Sequence, residues 1–349
     1  MGKKLSAIVL AVVILLGISS CSMQEQGMNS TDSTEINLKQ IRQGIGQFSK
    51  LKNGTLEVDA MMRSENHAVE SLNNEMTKNT SLITFILNRK GYDFLEERNA
   101  LNEQTGKSEY SATKQVQGRL SLAIPVEQSI AERTKPYEWE DISGTNRNHY
   151  EPNGALSMMA VPSKIVDNEK YIASITKEKE GSLTKYTLTT SETFAKYAKE
   201  IHREEENYTV REHREIYWIN GDGLLIKRQI YEKFDWTMDG IEDTYSSNTT
   251  VELTGYNYKK LTKIGDELSP MIVFEGNLYT QSSAVLDINV DALIEIGTIE
   301  SVVGSIQKPE KNNQANRLIK NAKVYKSGKN SLIVKYSDYT LYEKRLLEI

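Results

Sequence analysis

The chain has 349 residues and carries 43 lysines and arginines against 48 aspartates and glutamates, a formal net charge of −5. An acidic chain without a block of basic residues is a poor candidate for binding nucleic acid or an anionic membrane surface. The length is sufficient for a sizeable core and suggests two domains, and the single cysteine excludes a disulfide bond within the chain.

The first 20 residues have the organisation of a secretory signal peptide. Lys3 and Lys4 form a basic start, an apolar run covers residues 5–18, and two serines precede Cys21. The apolar run is shorter than the roughly 20 residues that a permanent membrane-spanning helix requires. We therefore expect cleavage, and the alternative is a short uncleaved anchor helix.

The end of this segment, Ile18-Ser19-Ser20-Cys21, resembles the lipobox of bacterial lipoproteins. The resemblance implies that the Cys21 thiol takes a diacylglyceryl group, that a signal peptidase cuts before it, and that the new amine is open to acylation, for example by palmitate. Two acyl signals anchor a protein stably, whereas one does so only marginally. We expect a lipid-anchored protein on the extracytoplasmic face of the cell membrane. The alternative is an ordinary cleaved signal with an incidental cysteine.

The chain after the lipobox begins with a predicted tether and a helix. Residues 21–35 are polar and small, a composition that is typical of a flexible linker. Thr34 is a plausible N-cap for the helix that follows. The spacing of three and four residues predicts that one helix face carries Leu38, Ile41, Ile45 and Phe48.

Strand signals dominate from residue 53 to residue 124. Turn residues separate stretches in which apolar and polar side chains alternate, a pattern that is typical of antiparallel strands with one buried face. The expected elements are a strand over residues 55–62, a polar loop over 64–79, a hairpin about Lys90-Gly91 and a strand-like segment over 108–124.

Residues 125–162 are the least regular part, and we interpret them as a long connection with one short helix around 155–159. Regular patterns then return, and a four-residue turn of asparagine, glycine, aspartate and glycine is the strongest hairpin signal of the chain. The expected elements are two strands about Gly181, a helix capped by Ser191, a hairpin of residues 208–219 and 224–236 about residues 220–223, and a strand over 243–256.

This order of elements resembles the half-barrel of the lipoprotein carrier LolA and of the LppX-type lipoproteins. In those proteins a strongly curved antiparallel sheet wraps an apolar cavity that helices close. The resemblance implies an α+β fold for residues 36–257, with a strongly curved, half-barrel-like antiparallel sheet and packed helices. The alternative is an unrelated curved α+β sheet.

A change of composition near residues 259–270 predicts a second domain, a small all-β module over residues 258–349. Residues 309–317 are expected to be a polar loop between short strands. The sequences Gly276-Asn277-Leu278-Tyr279 and Ile296-Gly297-Thr298-Ile299 resemble a tail domain of surface proteins from Gram-positive gut bacteria, a resemblance that implies no activity.

Two groups of residues match parts of metal-binding motifs. Asp287, Asn289 and Asp291 resemble the start of an EF-hand loop, but alanine and threonine replace its glycine and its last glutamate. His202 could share a helix face with two glutamates, and zinc would need His213 as a further ligand. Solvated polar surfaces are the favoured interpretation of both groups, and we expect no metal and no cofactor.

Catalytic motifs are equally incomplete. Two Ser-x-x-Lys matches, Ser174 to Lys177 and Ser182 to Lys185, fall in strand patterns, where residues three apart point to opposite faces. A lipidated Cys21 leaves no thiolate nucleophile. We therefore predict a protein without enzymatic activity.

One strand of the predicted hairpin carries the candidate ligand-binding residues. Its even-numbered positions share one side, which Arg228 and Glu232 interrupt. The candidate residues are Leu224, Ile226, Ile230, Phe234 and Trp236. This side is either the wall of an apolar cleft or the packed core of a sheet against a helix. We predict a lipoprotein that binds an apolar ligand or lipid, and the alternative is a structural or sensory envelope protein whose partner is another protein.

Cys21→Ser is expected to leave the protein either unprocessed or shed from the membrane, because the serine hydroxyl does not take the lipid. The measurement is the intact mass of the N-terminus together with membrane fractionation. Ser20→Ala, which keeps a small residue before the cysteine, should be processed normally. An unmodified Cys21 in the wild-type protein would sink the lipoprotein assignment.

Overall fold

The computed structural model of the protein describes residues 32–64, 77–89, 91–102, 108–123, 139–143, 154–202, 208–238, 241–282, 292–336 and 339–345. The predictions on Cys21, the signal peptide, the tether up to residue 31 and the residues from Asp287 to Asp291 lie outside these ranges. In the described ranges, no helix is both long and apolar enough to cross a membrane.

The first eleven strands of the described chain form one antiparallel sheet in the order β6-β5-β4-β3-β2-β1-β11-β10-β9-β8-β7. They are β1 (Asn53–Ser64), β2 (Thr77–Asn88), β3 (Gly91–Asn102), β4 (Ser108–Val116), β5 (Arg119–Ala123), β6 (Trp139–Asp141), β7 (Ile172–Glu180), β8 (Leu183–Thr190), β9 (Thr209–Ile219), β10 (Leu225–Met238) and β11 (Ile241–Tyr256). Each half is a meander of sequential strands, and the pairing of β1 with β11 joins the halves.

Four α-helices of the described ranges accompany this sheet, together with a 3-10 turn at Glu169–Tyr171: α1 (Asp32–Phe48), α2 (Gly154–Ala160), α3 (Lys164–Asp167) and α4 (Glu192–Ile201). The predicted apolar face of α1 is fully buried in a core shared with residues of β1, β2, β3, β9, β10 and β11. Gly44 allows α1 to approach the sheet closely, since a Cβ there would lie 2.8 Å from Cδ1 of Ile219. The described chain is mostly β structure with few helices, and the predicted antiparallel arrangement of the sheet is confirmed.

Two local predictions were wrong in detail, and a third was right in position only. Helix α1 begins at Asp32, so Thr34 lies inside its first turn and is not the N-cap. Ser191 is the N-cap residue of α4 as predicted, but its hydroxyl donates to the Lys170 carbonyl at 2.6 Å and makes no capping bond. The segment 108–124 is two strands, because Gln117 and Gly118 have positive φ angles of 53° and 82° and turn the chain back.

A second sheet follows, with the strand order β14-β17-β18-β19-β13-β12-β16-β15. Its strands are β12 (Met271–Phe274), β13 (Asn277–Gln281), β14 (Ile294–Thr298), β15 (Ser301–Val302), β16 (Gln314–Ala315), β17 (Lys323–Lys326), β18 (Ser331–Lys335) and β19 (Tyr339–Lys344). The described pairs are antiparallel except for β15 with β16. Its apolar side chains form a separate core cluster.

The prediction of a polar loop over residues 309–317 was wrong at its end. Residues 314–317 are buried and include β16. The Asn316 amide donates to the Ser269 carbonyl at 3.0 Å, and Arg317 Nη2 donates to the Leu268 carbonyl at 2.6 Å. These polar side chains are inside because they bind backbone groups that would otherwise be buried without partners.

The second sheet packs on the face of the first sheet that is opposite α1. Along β2, Ile83 and Phe85 belong to the helix-side core, whereas Leu82 belongs to the core cluster of the second sheet. Successive side chains of a strand point to opposite faces, so β2 is buried on both sides. A third small cluster joins Leu95 of β3 to Ile264 and Ile306. The proposed boundary near residue 258 is therefore crossed by apolar contacts.

Gly304→Ala is expected to destabilise the protein by about 1–3 kcal/mol, a typical cost of overpacking. A Cβ at position 304 would overlap the side chain of Thr84 in β2, so the two sheets would have to separate locally. Chemical denaturation measures the change. Gly46→Ala in α1 is the control, because its Cβ meets nothing within 4 Å and a helical alanine should stabilise by up to about 1 kcal/mol. Equal effects of the two substitutions would contradict a tight contact between the sheets.

Candidate functional site

The five predicted ligand-binding residues lie on or beside β10, mostly in the filled core. Leu224, Ile230 and Phe234 are buried, and Ile226 and Trp236 are partly buried at the edge of the same cluster. A register shift between Leu225 and Lys227 changes the alternation, so Leu225 is fully buried as well. The even-numbered residues from 228 to 234 then share the face that the helices cover.

Phe234 is surrounded by other rings. Its centroid lies 5.2 Å from that of Tyr208 and 5.7 Å from that of Tyr245, and Tyr245 in turn neighbours Trp236 at 6.1 Å. Aromatic rings at these separations fill space efficiently. Phe234 therefore lies in packed core. This agrees with the interpretation of the even side of β10 as core between sheet and helix, and not with the wall of a cleft.

The two residues that interrupt the apolar side, Arg228 and Glu232, belong to a buried polar cluster. In the register of β9 with β10, His213 pairs with Glu232 and Tyr217 pairs with Arg228. Glu215 lies between His213 and Tyr217 on the same side of β9. All five side chains are buried, so the cluster is a group of charges and one phenol inside the protein. We refer to these five residues as the polar cluster.

Glu215 is the acceptor at the centre of the polar cluster. Its Oε2 accepts from Arg228 Nη2 at 3.1 Å, from Ser163 Oγ at 2.9 Å and from the Tyr217 hydroxyl. Burial alone would raise the pKa of Glu215, but the positive charge of Arg228 and the bond from His213 outweigh it and lower the pKa to about 2. Burial also raises the pKa of Tyr217, which keeps its phenol protonated as a donor.

His213 lies between two carboxylates. Its Nδ1 is 3.2 Å from Glu232 Oε1, and its Nε2 is 3.5 Å from Glu215 Oε1. Burial alone would lower the pKa of His213, but the hydrogen bonds to Glu215 and Glu232 and their charges prevail and raise it to about 9. The imidazole is therefore a cation at neutral pH, and the ring of Phe194 covers it at 4.9 Å between centroids.

Arg228 connects the polar cluster to the helices above the sheet. Its Nη1 donates to the Met158 carbonyl in α2 and to the Val161 carbonyl at 3.4 Å, and its guanidinium lies 4.9 Å from the centre of the Tyr217 ring. Ser163 makes a second connection, because its Oγ accepts from the Val166 amide at 3.2 Å and so caps α3 while donating to Glu215. The α2–α3 segment is thus bound to the sheet by polar contacts.

A cavity of about 50 Å³ lies next to the polar cluster. The sheet contributes its floor, and the α2–α3 segment and α4 contribute its walls. Lining residues with apolar side chains include Met158, Ile165, Phe194, Tyr197, Ile201 and Ile230, and polar ones include Lys164, His213, Glu215, Arg228, Glu232, Ser247 and Thr249. Ile230 lines this cavity, whereas Leu224, Ile226, Phe234 and Trp236 do not. A volume of this size accommodates a few water molecules, since one needs roughly 10–15 Å³.

The described residues contain no group of three histidine, cysteine, aspartate or glutamate side chains that could hold a metal ion. His202 ends α4 and stacks on Tyr208 at 4.2 Å. In the Ser-x-x-Lys matches, Ser174 Oγ is bonded to Thr189 Oγ1 and Lys185 forms an ion pair with Glu178. Ser174 and Lys185 thus make contacts within the hairpin of β7 and β8, and Lys177 donates to Gln40 Oε1 of α1 at 3.1 Å.

The sequence interpretation missed the polar cluster as a unit. A signal for half of it was available, because a histidine, a glutamate and a tyrosine alternate along β9 and two charges interrupt the apolar side of β10. Only the register of the strands shows that these charges face one another. Nothing in the sequence near Ser163 indicates its bond to Glu215.

No protein-family model and no curated protein sequence matches this chain. Solved structures with some similarity include a porin-like protein from Bacteroides uniformis, with 10% identity over 59% of this chain and 97% of that chain and a TM-score of 0.20. An acylaminoacyl peptidase from Pyrococcus horikoshii has 10% identity over 78% of this chain and 51% of that chain, with a TM-score of 0.12. Scores this low carry no argument about fold or activity.

The polar cluster predicts a specific dependence of stability on pH. The pKa of His213 is raised from 6.5, so its contribution is complete below about 6.5 and is lost as the pH rises through about 9. The pKa of Glu215 is lowered from 4.5, so its contribution is complete above about 4.5 and is lost as the pH falls through about 2. We expect the free energy of unfolding to be constant between about pH 4.5 and pH 6.5. It should then fall by on the order of 3 kcal/mol, through His213, as the pH rises to about 9.

Denaturant unfolding at a series of pH values measures this profile. His213→Gln should remove the alkaline loss, since glutamine does not titrate, although its plateau should lie lower. A wild-type free energy of unfolding that stays constant from neutral pH to above pH 9 would contradict a protonated His213.

Proposed function

We propose that the protein is a lipoprotein anchored through Cys21 on the extracytoplasmic face of the membrane. It acts without catalysis and binds an apolar ligand or lipid between the sheet and its covering helices. Its first domain is then a half-barrel of the α+β type, with α1, α2, α3 and α4 on the inner face of the sheet.

One observation supports this function above others. The cavity between β9, β10, β11 and the helices has an apolar wall and a small set of buried polar groups on the other side. Ligand sites are typically apolar concavities in which a few polar groups converge, and residues with perturbed pKa values mark them. The position of Ile230 in the lining agrees with the assignment of the even side of β10 to ligand contact.

The size of the cavity determines how such a ligand would fit. Small-molecule pockets usually have about 300–1,000 Å³, far more than the volume present here. An acyl chain would therefore need the α2–α3 segment or α4 to move outward. The charged side chains beneath would stay paired with one another, so they serve as a fixed polar end of the site.

A second candidate is a structural or sensory envelope protein that binds another protein. The packing of Leu224 and Phe234 in the filled core supports it, because these side chains are not free to contact a ligand. The small cavity also agrees with this alternative. An interaction protein needs an exposed surface and no enclosed site.

The two candidates differ in whether the native protein binds an environment-sensitive apolar dye. We expect saturable binding by the wild type, and Ile201→Trp should abolish it because the larger ring fills the cavity from α4. Ile36→Trp is the matched control, since this residue is 53% exposed on α1 and does not line the cavity. The measurement is a fluorescence titration.

Phe234→Ala separates packing from ligand contact. In packed core this substitution should cost roughly 3–5 kcal/mol of stability. A loss in that range together with no dye binding by the wild type would overturn the carrier function and leave the interaction protein. A loss in that range, with saturable dye binding that Ile201→Trp abolishes, would place the ligand at the cavity and not at Phe234.

A further inference from the structure

The floor of the cavity is a regular grid of side chains on three neighbouring strands. In the registers of β9, β10 and β11, one row across the strands is His213, Glu232 and Ser247. The next row on the same face is Glu215, Ile230 and Thr249. Each row thus ends on β11 in a hydroxyl group that lines the cavity.

The charges around this grid cancel. Both ring nitrogens of His213 face carboxylate oxygens, which can only accept, so the geometry requires both nitrogens to carry protons. His213 and Arg228 then supply two positive charges, and Glu215 and Glu232 supply two negative charges. Lys164 of α3 also lines the cavity, with a half-buried side chain on the helix side and not on the sheet.

Polar atoms beside the cavity can form hydrogen bonds with an uncharged ligand. Arg228 is 1% exposed, and its Nε has no hydrogen-bond partner among the described residues. Arg228 is one of the residues that line the cavity, so a buried donor without an acceptor lies beside it. The hydroxyls of Ser247 and Thr249 can both donate and accept. The floor of the cavity, which the sheet contributes, therefore offers both kinds of hydrogen bond without a net charge.

We infer that the cavity, enlarged by an outward movement of the α2–α3 segment or α4, receives the uncharged, hydroxyl-bearing head of an amphiphile of the acylglycerol class, with the chain directed along the apolar wall of Phe194 and Ile201. This inference rests on the proposed function and names its ligand class. A carboxylate or ammonium head would add a further charge beside a buried floor whose own charges already balance, which is costly. A hydroxyl head has no such cost, and its oxygen can accept a hydrogen bond from Arg228 Nε.

Isothermal titration calorimetry of the full mature chain near neutral pH tests the ligand class. The probes are monodecanoylglycerol, decanoate and decylamine, which share one chain length and differ in the charge of the head. We expect monodecanoylglycerol to bind at least about tenfold more tightly than either charged probe. Thr249→Val should weaken its binding several-fold, because the substitution removes a hydroxyl and keeps the shape.

Thr250→Val is the matched control, since the next residue of β11 points to the opposite face of the sheet and should leave binding unchanged. Equal affinity for the three probes, or tighter binding of decanoate, would overturn the uncharged head and leave the carrier function standing. Binding of none of them would overturn the acylglycerol head, and if the dye does not bind either, the carrier function would be overturned as well. If Thr250→Val weakened the binding of monodecanoylglycerol as much as Thr249→Val does, the cavity would not be the binding site.

Discussion

The burial of four charges on one face of the first sheet is the constraint on which the candidate site depends. Removing a charged side chain from water costs several kcal/mol, and an ion pair recovers this only with good geometry and further hydrogen bonds. Glu215 meets that condition because a strand neighbour, a facing strand and the loop before α3 all donate to it. If any of these elements shifted, a charge would be left without its partner. The cluster therefore specifies one arrangement of strands and helices.

The same cluster explains why the covering helices can be so short. Helix α3 has four residues and α2 has seven, too few for stability on their own. Arg228 binds carbonyls at the end of α2 and beyond it, and Ser163 caps α3 while binding Glu215. Polar contacts hold the backbone of this segment, and the apolar residues Leu156, Met159 and Val166 fill the space beneath it.

Much of the first sheet was predictable because its signals are local. The turn of residues 220–223 and the turn at Gly91 identify hairpins directly, and the helix spacing of α1 predicts its buried face. The run from Ser81 to Phe85 is buried throughout, and such continuous burial is typical of a strand covered on both sides. The sequence interpretation expected strands with only one buried face, and β2 differs because the second sheet covers its other face.

The site was less predictable because its contacts are between residues far apart in the chain. Ile230 was identified among the candidates, and Arg228 and Glu232 were recognised as interruptions of an apolar side. The pairing of Arg228 with Glu215 depends on register shifts in β10 that no local pattern indicates. Similarly, the polar composition of residues 314–317 predicted a surface loop. They are buried because Asn316 and Arg317 bind backbone groups instead of water.

The pairing of β1 with β11 also determines the order in which the chain can fold. Residues Gly54 and Tyr256 are partners, so the central pair of the sheet closes a loop of nearly the whole first domain. Each meander consists of contacts between neighbours in sequence, which form quickly, whereas closing a long loop is slow. A chain that is synthesised from its N-terminus carries the open edge of β1 until β11 has been made. This edge exposes unpaired backbone groups, and during that interval it is the part of the chain most open to pairing with another molecule.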